Sequence, residues 1–199
     1  MKLYFAPGAC SLADHIALNE AGLRFDRVQV DLKSHRTETG GDYSLINPKG
    51  YVPALQFDDG SVLTENIAIL SWIGDQAPAL VPHGPMARYR LLEMLAFIST
   101  ELHKAFKPFF QPDAGEAAKT QAREQIEKRL SWLADRQQSD FVLGDAMSVE
   151  DAYLFVMLMW ASKNGLTIPA PLTAYSDRLR SRPAVRLSLE HEGLAQPAS

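Results

Sequence analysis

The sequence predicts an α/β domain over residues 1–78, followed by an all-α domain over residues 86–199. Strand patterns, in which apolar and polar residues alternate, occur only in the first half of the chain. Between Gln76 and Pro85, three prolines and a glycine interrupt every periodicity, which is typical of a linker. Beyond this linker, apolar residues recur only at helical spacing. A chain of 199 residues is long enough for two small domains of this kind.

The first domain begins with a predicted βαβ unit. Residues 2–6 and 28–32 have strand patterns, and the segment between them has the apolar spacing of a helix that ends at Gly22. Ser11 has the capping-box spacing to the acidic residue three positions later, which predicts the start of this helix. Cys10 is therefore expected at the helix N-terminus.

A predicted β-hairpin and a second helix complete the first domain. A turn over residues 47–50 precedes two strand patterns, at residues 51–57 and 61–63, which flank a short Asp-Asp-Gly turn. Thr64 is expected to cap the helix that follows, whose apolar positions would bury it on the sheet.

Four helical stretches are predicted in the second domain. Ser148 and Asp151 have the spacing of a capping box, and Met147 and Ala152 can pack on each other as a hydrophobic staple. One helix start is thus well specified. The predicted stretches lie near residues 86–106, 114–138, 148–163 and 171–190, with breaks at Pro108, Pro112, Pro169 and Pro183.

Composition excludes several classes of partner. The net charge is −4 and no run of basic residues occurs, so neither nucleic acid nor an anionic membrane is an expected partner. The apolar N-terminal stretch is too short for a signal peptide, and no stretch is long enough to span a membrane. A single cysteine forms no internal disulfide and suits a reducing compartment, so a cytoplasmic protein is expected.

Cys10 is the first candidate for chemistry. Unpaired backbone N–H groups and the positive end of the helix dipole would favour its thiolate, while a buried structural cysteine is an equally open interpretation. The sequence contains no Cys-x-x-Cys pair. Any disulfide of Cys10 would therefore be formed with a thiol from another molecule.

Two further segments could bind a ligand. Val52-Pro53 is a candidate cis peptide that would offer the Val52 backbone for strand-like pairing, or it is an ordinary trans proline at a sheet edge. Thr64-Glu65-Asn66 opens a helix, where Glu65 suits an ammonium and free N–H groups suit a carboxylate. Plain helix capping is the alternative for this second segment.

His103 lies on a face of small and polar residues in the first helix of the second domain. It could donate a hydrogen bond to a thiolate or a carboxylate, or be a surface or interior histidine without a catalytic role. No two histidines have the spacing i,i+4, and neither a P-loop nor a G-x-G-x-x-G pattern occurs. Neither a metal nor a nucleotide cofactor is expected.

Taken together, these motifs resemble those of beta-class (bacterial) glutathione transferases. Cys10, Val52-Pro53 and Thr64-Glu65-Asn66 occur in the order found in that family, and the resemblance runs essentially from end to end. The strings that carry it are residues 6–12 (APGACSL), 47–55 (NPKGYVPAL), 63–65 (LTE), 100–104 (TELHK) and 148–155 (SVEDAYLF).

The resemblance implies a thioredoxin-like first domain, with element order β-α-β-α-β-β-α, and a glutathione site. In that site Cys10 would meet the sulfur of glutathione with His103 beside it, both as catalytic residues. Val52 and Pro53 would pair with the cysteinyl backbone, and Glu65 and Asn66 with the γ-glutamyl end. His35 stands where relatives usually carry a lysine for the glycyl carboxylate, so the resemblance implies that His35, or nearby Lys33, contacts this carboxylate. Ala96 stands where relatives often carry an asparagine, and these two departures imply a reduced affinity for glutathione. Thr100 and Glu101 would reach the glutathione site of a neighbouring subunit, which implies a homodimer.

The function implied by the resemblance is conjugation of the glutathione thiolate to small hydrophobic electrophiles, as in detoxification. Phe106, Phe110, Tyr153 and Trp160 would line the electrophile pocket of the second domain, or be ordinary core residues. Thiol–disulfide exchange through Cys10 is a second possible activity. A non-catalytic glutathione-binding or regulatory protein on the same fold is the alternative from another class.

Overall fold

A computed structural model describes residues 1–195 of the chain. The described residues form two compact units, one of residues 1–80 with 181–195, the other of Val81–Arg180. The predicted second domain, 86–199, differs from these units because its last helix packs with the first unit. Its final residues, 196–199, lie outside the described part of the chain.

A five-stranded mixed sheet forms the centre of the first unit. Its spatial order is β3-β2-β1-β4-β5; β1 and β2 are parallel, and every other neighbouring pair is antiparallel. The parallel pair requires a crossover, which the first helix provides. The strands are β1 (Lys2–Phe5), β2 (Asp26–Asp31), β3 (Arg36–Thr37), β4 (Ala54–Gln56) and β5 (Val62–Thr64).

Eight α-helices complete the described residues. They are α1 (Leu12–Glu20), α2 (Asn66–Gln76), α3 (Ala87–Phe97), α4 (Lys107–Phe110), α5 (Glu116–Ala134), α6 (Val149–Lys163), α7 (Ala170–Arg180) and α8 (Pro183–His191). Helices α1, α2 and α8 belong to the first unit and the others to the second. In the part of the chain that is described, no helix combines the length and the apolar character needed to cross a membrane.

The predicted α/β fold, thioredoxin-like and followed by a helical half, is confirmed, but one predicted helix is shorter than expected. Between β2 and β4 the chain forms the short strand β3 and a single 3₁₀ turn at Tyr43–Leu45, where the order β-α-β-α-β-β-α predicts a helix. Asp42 accepts a hydrogen bond from the Ser44 N–H at 2.9 Å and so starts the turn. Pro48 disfavours helical geometry at the residue before it, which leaves no room for a longer helix.

Of the three predicted helix caps, only the one at Ser148 forms. The Ser148 N–H donates to the Asp151 carboxylate at 2.8 Å, within a complete capping box. Ser11 instead bonds the backbone N–H of Ala6 at 3.2 Å and makes no cap bond to α1. At the third site Glu65, not Thr64, is the residue that precedes α2.

The helices of the second unit follow the predicted stretches, with two changes near prolines. The stretch near 86–106 continues past its predicted end, because a π-helix at Ile98–Leu102 and a 3₁₀ turn at His103–Phe106 connect α3 to α4. Pro108 lies in the first turn of α4, where the missing N–H of proline costs little. Pro183 is the first residue of α8, and residues 181 and 182 separate this helix from α7.

Glu150 is a fully buried acid beside the start of α6. Its Oε1 accepts a hydrogen bond from the Ser148 hydroxyl at 2.6 Å, and its Oε2 has no hydrogen-bond partner among the described residues. Burial, followed by the negative charge of Asp151, raises the pKa of Glu150 to about 8. The carboxyl is therefore largely protonated in the folded chain at neutral pH.

Replacing Glu150 by glutamine should stabilise the protein at alkaline pH. An unfolded glutamate has a pKa of about 4.3, so above that pH the unfolded chain releases a proton that the folded chain still holds. The free energy of unfolding should thus fall as the pH rises from about 4.5 to 8. Glu150→Gln removes this pH-dependent loss of stability. At pH 8 its free energy of unfolding should exceed that of the wild type by at least about 1.4 kcal/mol, the equivalent of one pKa unit.

Urea unfolding of the wild type and Glu150→Gln at pH 5 and pH 8 measures this gain. The control is Glu124→Gln on α5, where the glutamate is exposed. If the free energy of unfolding differed between Glu150→Gln and the wild type by the same amount at both pH values, the assignment of a raised pKa to Glu150 would be wrong.

Candidate active site

Cys10 lies in the tight turn between β1 and α1. Backbone hydrogen bonds from the Ala9 N–H to the Ala6 carbonyl at 3.0 Å and from the Ala13 N–H to the Cys10 carbonyl at 3.0 Å fix this turn. Cys10 as a whole residue is half-buried. Its thiol donates to the Val52 carbonyl, with Sγ and oxygen 3.4 Å apart.

The Val52-Pro53 peptide bond is cis, one of the two geometries that the sequence left open. It lies just before β4, and Val52 itself is buried. The contact between the Cys10 thiol and the Val52 carbonyl brings two predicted site residues together, although they are 42 positions apart in the chain.

The Cys10 thiol is neutral in this structure. Burial raises its pKa to about 12, and the negative charges of Asp14 and Glu65 act in the same direction. The backbone N–H groups of Cys10 and Ser11 favour the thiolate but are outweighed. The helix N-terminus therefore does not produce a Cys10 thiolate, contrary to the expectation from position alone, because the removal of the sulfur from water dominates.

Asn66 braces the Cys10 turn from inside. Its side-chain amide donates to the Cys10 carbonyl at 2.9 Å and to the Asp14 carboxylate at 2.9 Å, and only 7% of Asn66 is exposed. Burial raises the pKa of Asp14 well above its usual value. With its side chain engaged in this way, Asn66 has only its backbone N–H to offer a ligand.

Glu65 has a left-handed backbone conformation, with φ 76° and ψ 126°. A residue other than glycine adopts this conformation only at a cost, which is common at functional sites. Its carboxylate accepts hydrogen bonds from the Tyr51 hydroxyl at 2.7 Å and from the Lys49 ammonium. These two donors, Lys49 first, hold the pKa of Glu65 below its usual value, so Glu65 is an anion.

Glu65, Lys49, Tyr51 and Thr64 form one hydrogen-bonded group, the Glu65 cluster. Lys49 and Tyr51 were not among the site residues predicted from the sequence. Lys49 also donates to the Thr64 hydroxyl at 2.9 Å. The one available signal was their place on the turn that leads into Val52-Pro53.

His35 lies against the same turn. A Cβ atom built on Gly50 would come within 2.9 Å of the imidazole carbon Cε1 of His35, so a larger residue at position 50 would displace the His35 ring. The His35 carbonyl accepts a hydrogen bond from the Tyr43 N–H at 2.9 Å, which anchors the exposed residue to the unit. The contact of His35 with the glycyl carboxylate stays a prediction.

The second unit gathers its predicted site residues into one aromatic cluster. His103 Nδ1 is 2.5 Å from the Tyr153 hydroxyl, and the imidazole meets the edge of Trp160, with ring centres 5.1 Å apart. Burial, with a smaller effect of the Lys104 charge, lowers the pKa of His103 to about 4, so His103 is neutral. Phe106 and Phe110 pack on Trp160, with distances between ring centres of 5.5 and 4.7 Å. Phe110 is the one residue of this cluster that is largely exposed.

Thr100 and Glu101 lie in the π-helix that precedes His103. The Thr100 hydroxyl donates to the Ala96 carbonyl at 2.9 Å, and Glu101 pairs with Arg129 on α5 at 2.6 Å. Short π-helical turns often occur at functional sites. The predicted approach of these residues to a neighbouring subunit stays a prediction.

A buried hydrogen-bonded cluster behind the Cys10 turn has no local signal in the sequence. His15 Nδ1 and Glu192 Oε1 are 2.9 Å apart, and neither side chain is exposed. Glu192 Oε2 accepts a hydrogen bond from the Gly8 N–H at 2.9 Å, and His191 stacks on His15. Because Glu192 follows α8, this cluster ties the end of the described chain to the turn that carries Cys10.

The chain is similar to known proteins over its whole length. Two family models match it, glutathione S-transferase N-terminal domain at residues 9–76 and glutathione S-transferase C-terminal domain at residues 97–183. The glutathione S-transferase GstA of Escherichia coli O157:H7 is 43% identical, over 98% of this chain and 100% of its own length.

Solved structures agree with this similarity. A sphingomonad glutathione S-transferase complexed with glutathione is 48% identical, with a TM-score of 0.92 over 98% of this chain and 100% of that one. A bacterial beta-class glutathione S-transferase of Sphingomonas chungbukensis is 46% identical, with the same TM-score of 0.92 and the same coverage of 98% and 100%.

Removing the Glu192 carboxylate should destabilise the Cys10 turn and the whole fold. Glu192→Ala leaves His15 and the Gly8 N–H without their buried partner, and each buried polar group left without a hydrogen bond costs about 1–3 kcal/mol. We therefore expect a loss of about 3 kcal/mol in the free energy of unfolding, measured with urea. Glu190→Ala, on the exposed side of α8, is the control and should change stability by less than about 0.5 kcal/mol. Equal effects of the two variants would show that the cluster does not hold the turn.

Proposed function

Because the chain belongs to the glutathione S-transferase family, we propose that it conjugates the glutathione thiolate to small hydrophobic electrophiles. The beta-class resemblance and the transferase function predicted from the sequence are confirmed by the similarity to glutathione S-transferases over the full chain. The nature of the electrophile and the roles of individual residues belong to the proposal. The observation that carries it is the grouping of Cys10, the cis Val52-Pro53 bond and the Glu65 cluster on one unit.

In this proposal the nucleophile is the sulfur of glutathione, and Cys10 donates a hydrogen bond to it. A thiol with a pKa of about 12 keeps its proton at neutral pH and can donate that proton to a neighbouring thiolate. The Cys10 and Ser11 N–H groups lie close enough to Cys10 Sγ to lower its pKa, and they add positive dipoles near the same position. An anion on the ligand sulfur is thereby favoured over an anion on Cys10.

The peptide part of glutathione would be held by Val52 and Glu65. Among residues 1–195 the Val52 N–H makes no hydrogen bond, so it is available to the carbonyl of an extended peptide. Glu65 is an exposed anion and suits the ammonium of the γ-glutamyl end. Pro53, with its cis bond, sets the direction of the Val52 backbone.

For the electrophile we propose the aromatic cluster of the second unit. Phe110 offers an apolar face that is 53% exposed, supported from below by Trp160. Phe106 and Tyr153 are completely or almost completely buried and so contribute as the core beneath it. His103 is neutral and can donate one ring N–H to a sulfur anion without carrying a charge itself.

A homodimer in the cytoplasm that serves detoxification completes the proposal. The dimer is supported by the resemblance at Thr100 and Glu101, and the cytoplasm by the single unpaired thiol. That the enzyme uses neither a metal nor a nucleotide also remains part of the proposal.

Thiol–disulfide exchange through Cys10 is the second candidate function. Cys10 is half-buried, so a mixed disulfide between glutathione and another thiol could reach it. The Cys10 thiolate would attack the glutathione sulfur of that disulfide, form a mixed disulfide with glutathione and release the other thiol as its thiolate. A second glutathione or a substrate thiol would then attack the glutathione sulfur, which yields glutathione disulfide or a new mixed disulfide and releases the Cys10 thiolate. The high pKa of Cys10 makes the attacking thiolate scarce, which favours conjugation over exchange.

Calorimetric titration with glutathione tests the proposal directly. We expect saturable binding at millimolar glutathione or below, together with conjugation of a chloronitrobenzene substrate in a steady-state assay. S-methylglutathione serves as the control, because it has the same peptide but no thiol and should bind without reacting. If the protein showed no binding at millimolar glutathione, both the conjugation and the exchange functions would be wrong.

Substitutions of Cys10 separate the two functions. Cys10→Ser keeps a hydrogen-bond donor and should retain conjugation, while Cys10→Ala should lose up to about tenfold, the equivalent of one net hydrogen bond of about 1.4 kcal/mol. Both variants should lose all disulfide reductase activity, measured with a mixed disulfide of glutathione. A loss of conjugation of more than about 100-fold in both variants would instead indicate that Cys10 reacts covalently.

A further inference from the structure

We propose that the Tyr153 hydroxyl fixes the proton of His103 on Nε2, so that the imidazole offers an N–H donor to the sulfur anion of glutathione. The inference rests on the proposed function and deepens it, because it makes Tyr153 a positioning residue that acts through His103. In the proposed function Tyr153 otherwise contributes packing beneath the electrophile.

The position of the proton on His103 decides what the ring can do. Burial lowers the pKa of His103 to about 4, so the ring carries a single proton at neutral pH. A neutral imidazole has an N–H donor on one nitrogen and a lone pair on the other. One tautomer therefore donates to a sulfur anion, whereas the other points a lone pair at it. Which tautomer forms is set by the hydrogen bond that the second nitrogen makes.

The Tyr153 hydroxyl makes this hydrogen bond with His103. Its oxygen is 2.5 Å from His103 Nδ1. A phenol is a far stronger acid than the N–H of a neutral imidazole, and an imidazole nitrogen is a better acceptor than a phenol oxygen. The favoured arrangement is thus the Tyr153 O–H donating to Nδ1. The proton of the imidazole then lies on Nε2.

Two buried aromatic rings hold the imidazole in this orientation. Tyr153 and Trp160 both meet His103 nearly edge to face, with ring centres 5.7 and 5.1 Å apart and interplanar angles of 87° and 71°. Tyr153 and Trp160 are themselves buried. Because buried side chains are closely packed, a flip of the His103 ring would disturb both contacts. Nδ1 therefore stays on the Tyr153 side, and Nε2 on the side away from it.

The backbones of His103 and Tyr153 differ in regularity. His103 lies at a change of helix type, since the π-helix at Ile98–Leu102 ends directly before it and a 3₁₀ turn begins with it. Tyr153 lies in the second turn of α6, whose start is fixed by the capping box at Ser148. A regular, capped helix thus carries the group that orients His103. An irregular segment, of the kind common at functional sites, carries His103 itself.

The same hydrogen bond strengthens the His103 donor. An O–H that donates to Nδ1 draws electron density from the ring, so the N–H at Nε2 becomes a stronger donor. Tyr153 and His103 thus form a short chain of hydrogen bonds that ends on the sulfur anion. His103 stabilises this anion as a neutral ring.

Tyr153→Phe tests the inference, because it removes the hydroxyl and keeps the ring against His103. Nitrogen-15 spectra of the unliganded protein, labelled at histidine, show which ring nitrogen carries the proton, and His103→Gln identifies the His103 signals by their loss. The matched control is Tyr175→Phe. It removes another buried hydroxyl of the same unit, one that donates to the Asp151 carboxylate at 2.7 Å.

In the wild type we expect the proton on Nε2 and a hydrogen-bonded, unprotonated Nδ1. In Tyr153→Phe the Nδ1 signal should move to that of a nitrogen without a hydrogen bond, and the second tautomer should appear. The pKa of the bound glutathione thiol, followed by the ultraviolet absorption of the thiolate, should rise by about 0.5–1 unit, and kcat/KM for conjugation should fall about three- to tenfold. Tyr175→Phe should lose stability and leave all three measurements as in the wild type.

A wild-type spectrum with the His103 proton on Nδ1 would overturn the inference. An Nδ1 signal or a thiol pKa that is the same in Tyr153→Phe and the wild type would overturn it as well. Equal effects of Tyr153→Phe and Tyr175→Phe would also do so, since they would indicate a general loss of packing. These results leave the proposed function intact, because the wild type still binds glutathione. Failure of the wild type to bind glutathione would instead overturn the proposed function and the role of His103 toward the sulfur, while the spectra of the unliganded protein would still decide the role of Tyr153.

Discussion

The buried contact between His15 and Glu192 is the constraint on which the candidate site depends. It joins the first helix of the chain to the segment after the last one, and through the Gly8 N–H it fixes the turn that ends at Cys10. The two-pronged pairing of Arg182 with Glu20, at 2.6 and 2.8 Å, supports the same helix contact from its other end. Buried polar groups are costly unless they are hydrogen-bonded, so this arrangement leaves the turn few alternative positions.

From this fixed turn the electrostatics of the site follow. The Cys10 carbonyl is held by Asn66 and the Cys10 thiol by the Val52 carbonyl, so the sulfur lies among protein atoms and stays neutral. Glu65, at the exposed end of the site, is instead an anion. One end of the site is thus suited to charge recognition and the other to a sulfur anion brought by the ligand. A neutral Cys10 beside a ligand thiolate suits conjugation, in which the ligand sulfur is the nucleophile.

The sequence predicted well those features that depend on neighbouring residues. The capping box at Ser148 needs only residues within one helical turn, and it forms as expected. Ser11 has almost the same pattern, but Ala6 offers its side chain better partners in the tight turn. At Glu65, packing in the fold imposes a backbone conformation that no propensity rule favours.

Features that depend on residues far apart in the chain could not be predicted from local sequence patterns. His15 and Glu192 are 177 positions apart, and neither carries a local pattern that points to the other. The chemical states of Cys10 and His103 depend on burial, which sequence position does not give. The resemblance to a known family predicted which segments form the site, but not that the Asn66 side chain faces inward or that Lys49 contacts Glu65.

The high pKa of Cys10 also has a consequence for the lifetime of the enzyme. An enzyme that activates a sulfur nucleophile beside reactive electrophiles risks alkylation of its own thiol. With a pKa of about 12, Cys10 keeps its proton at pH 7. Each glutathione molecule is consumed and replaced by another. Cys10, the single cysteine of the chain, is not replaced once it is alkylated. By keeping that cysteine protonated, the fold confines self-inactivation to a rare side reaction.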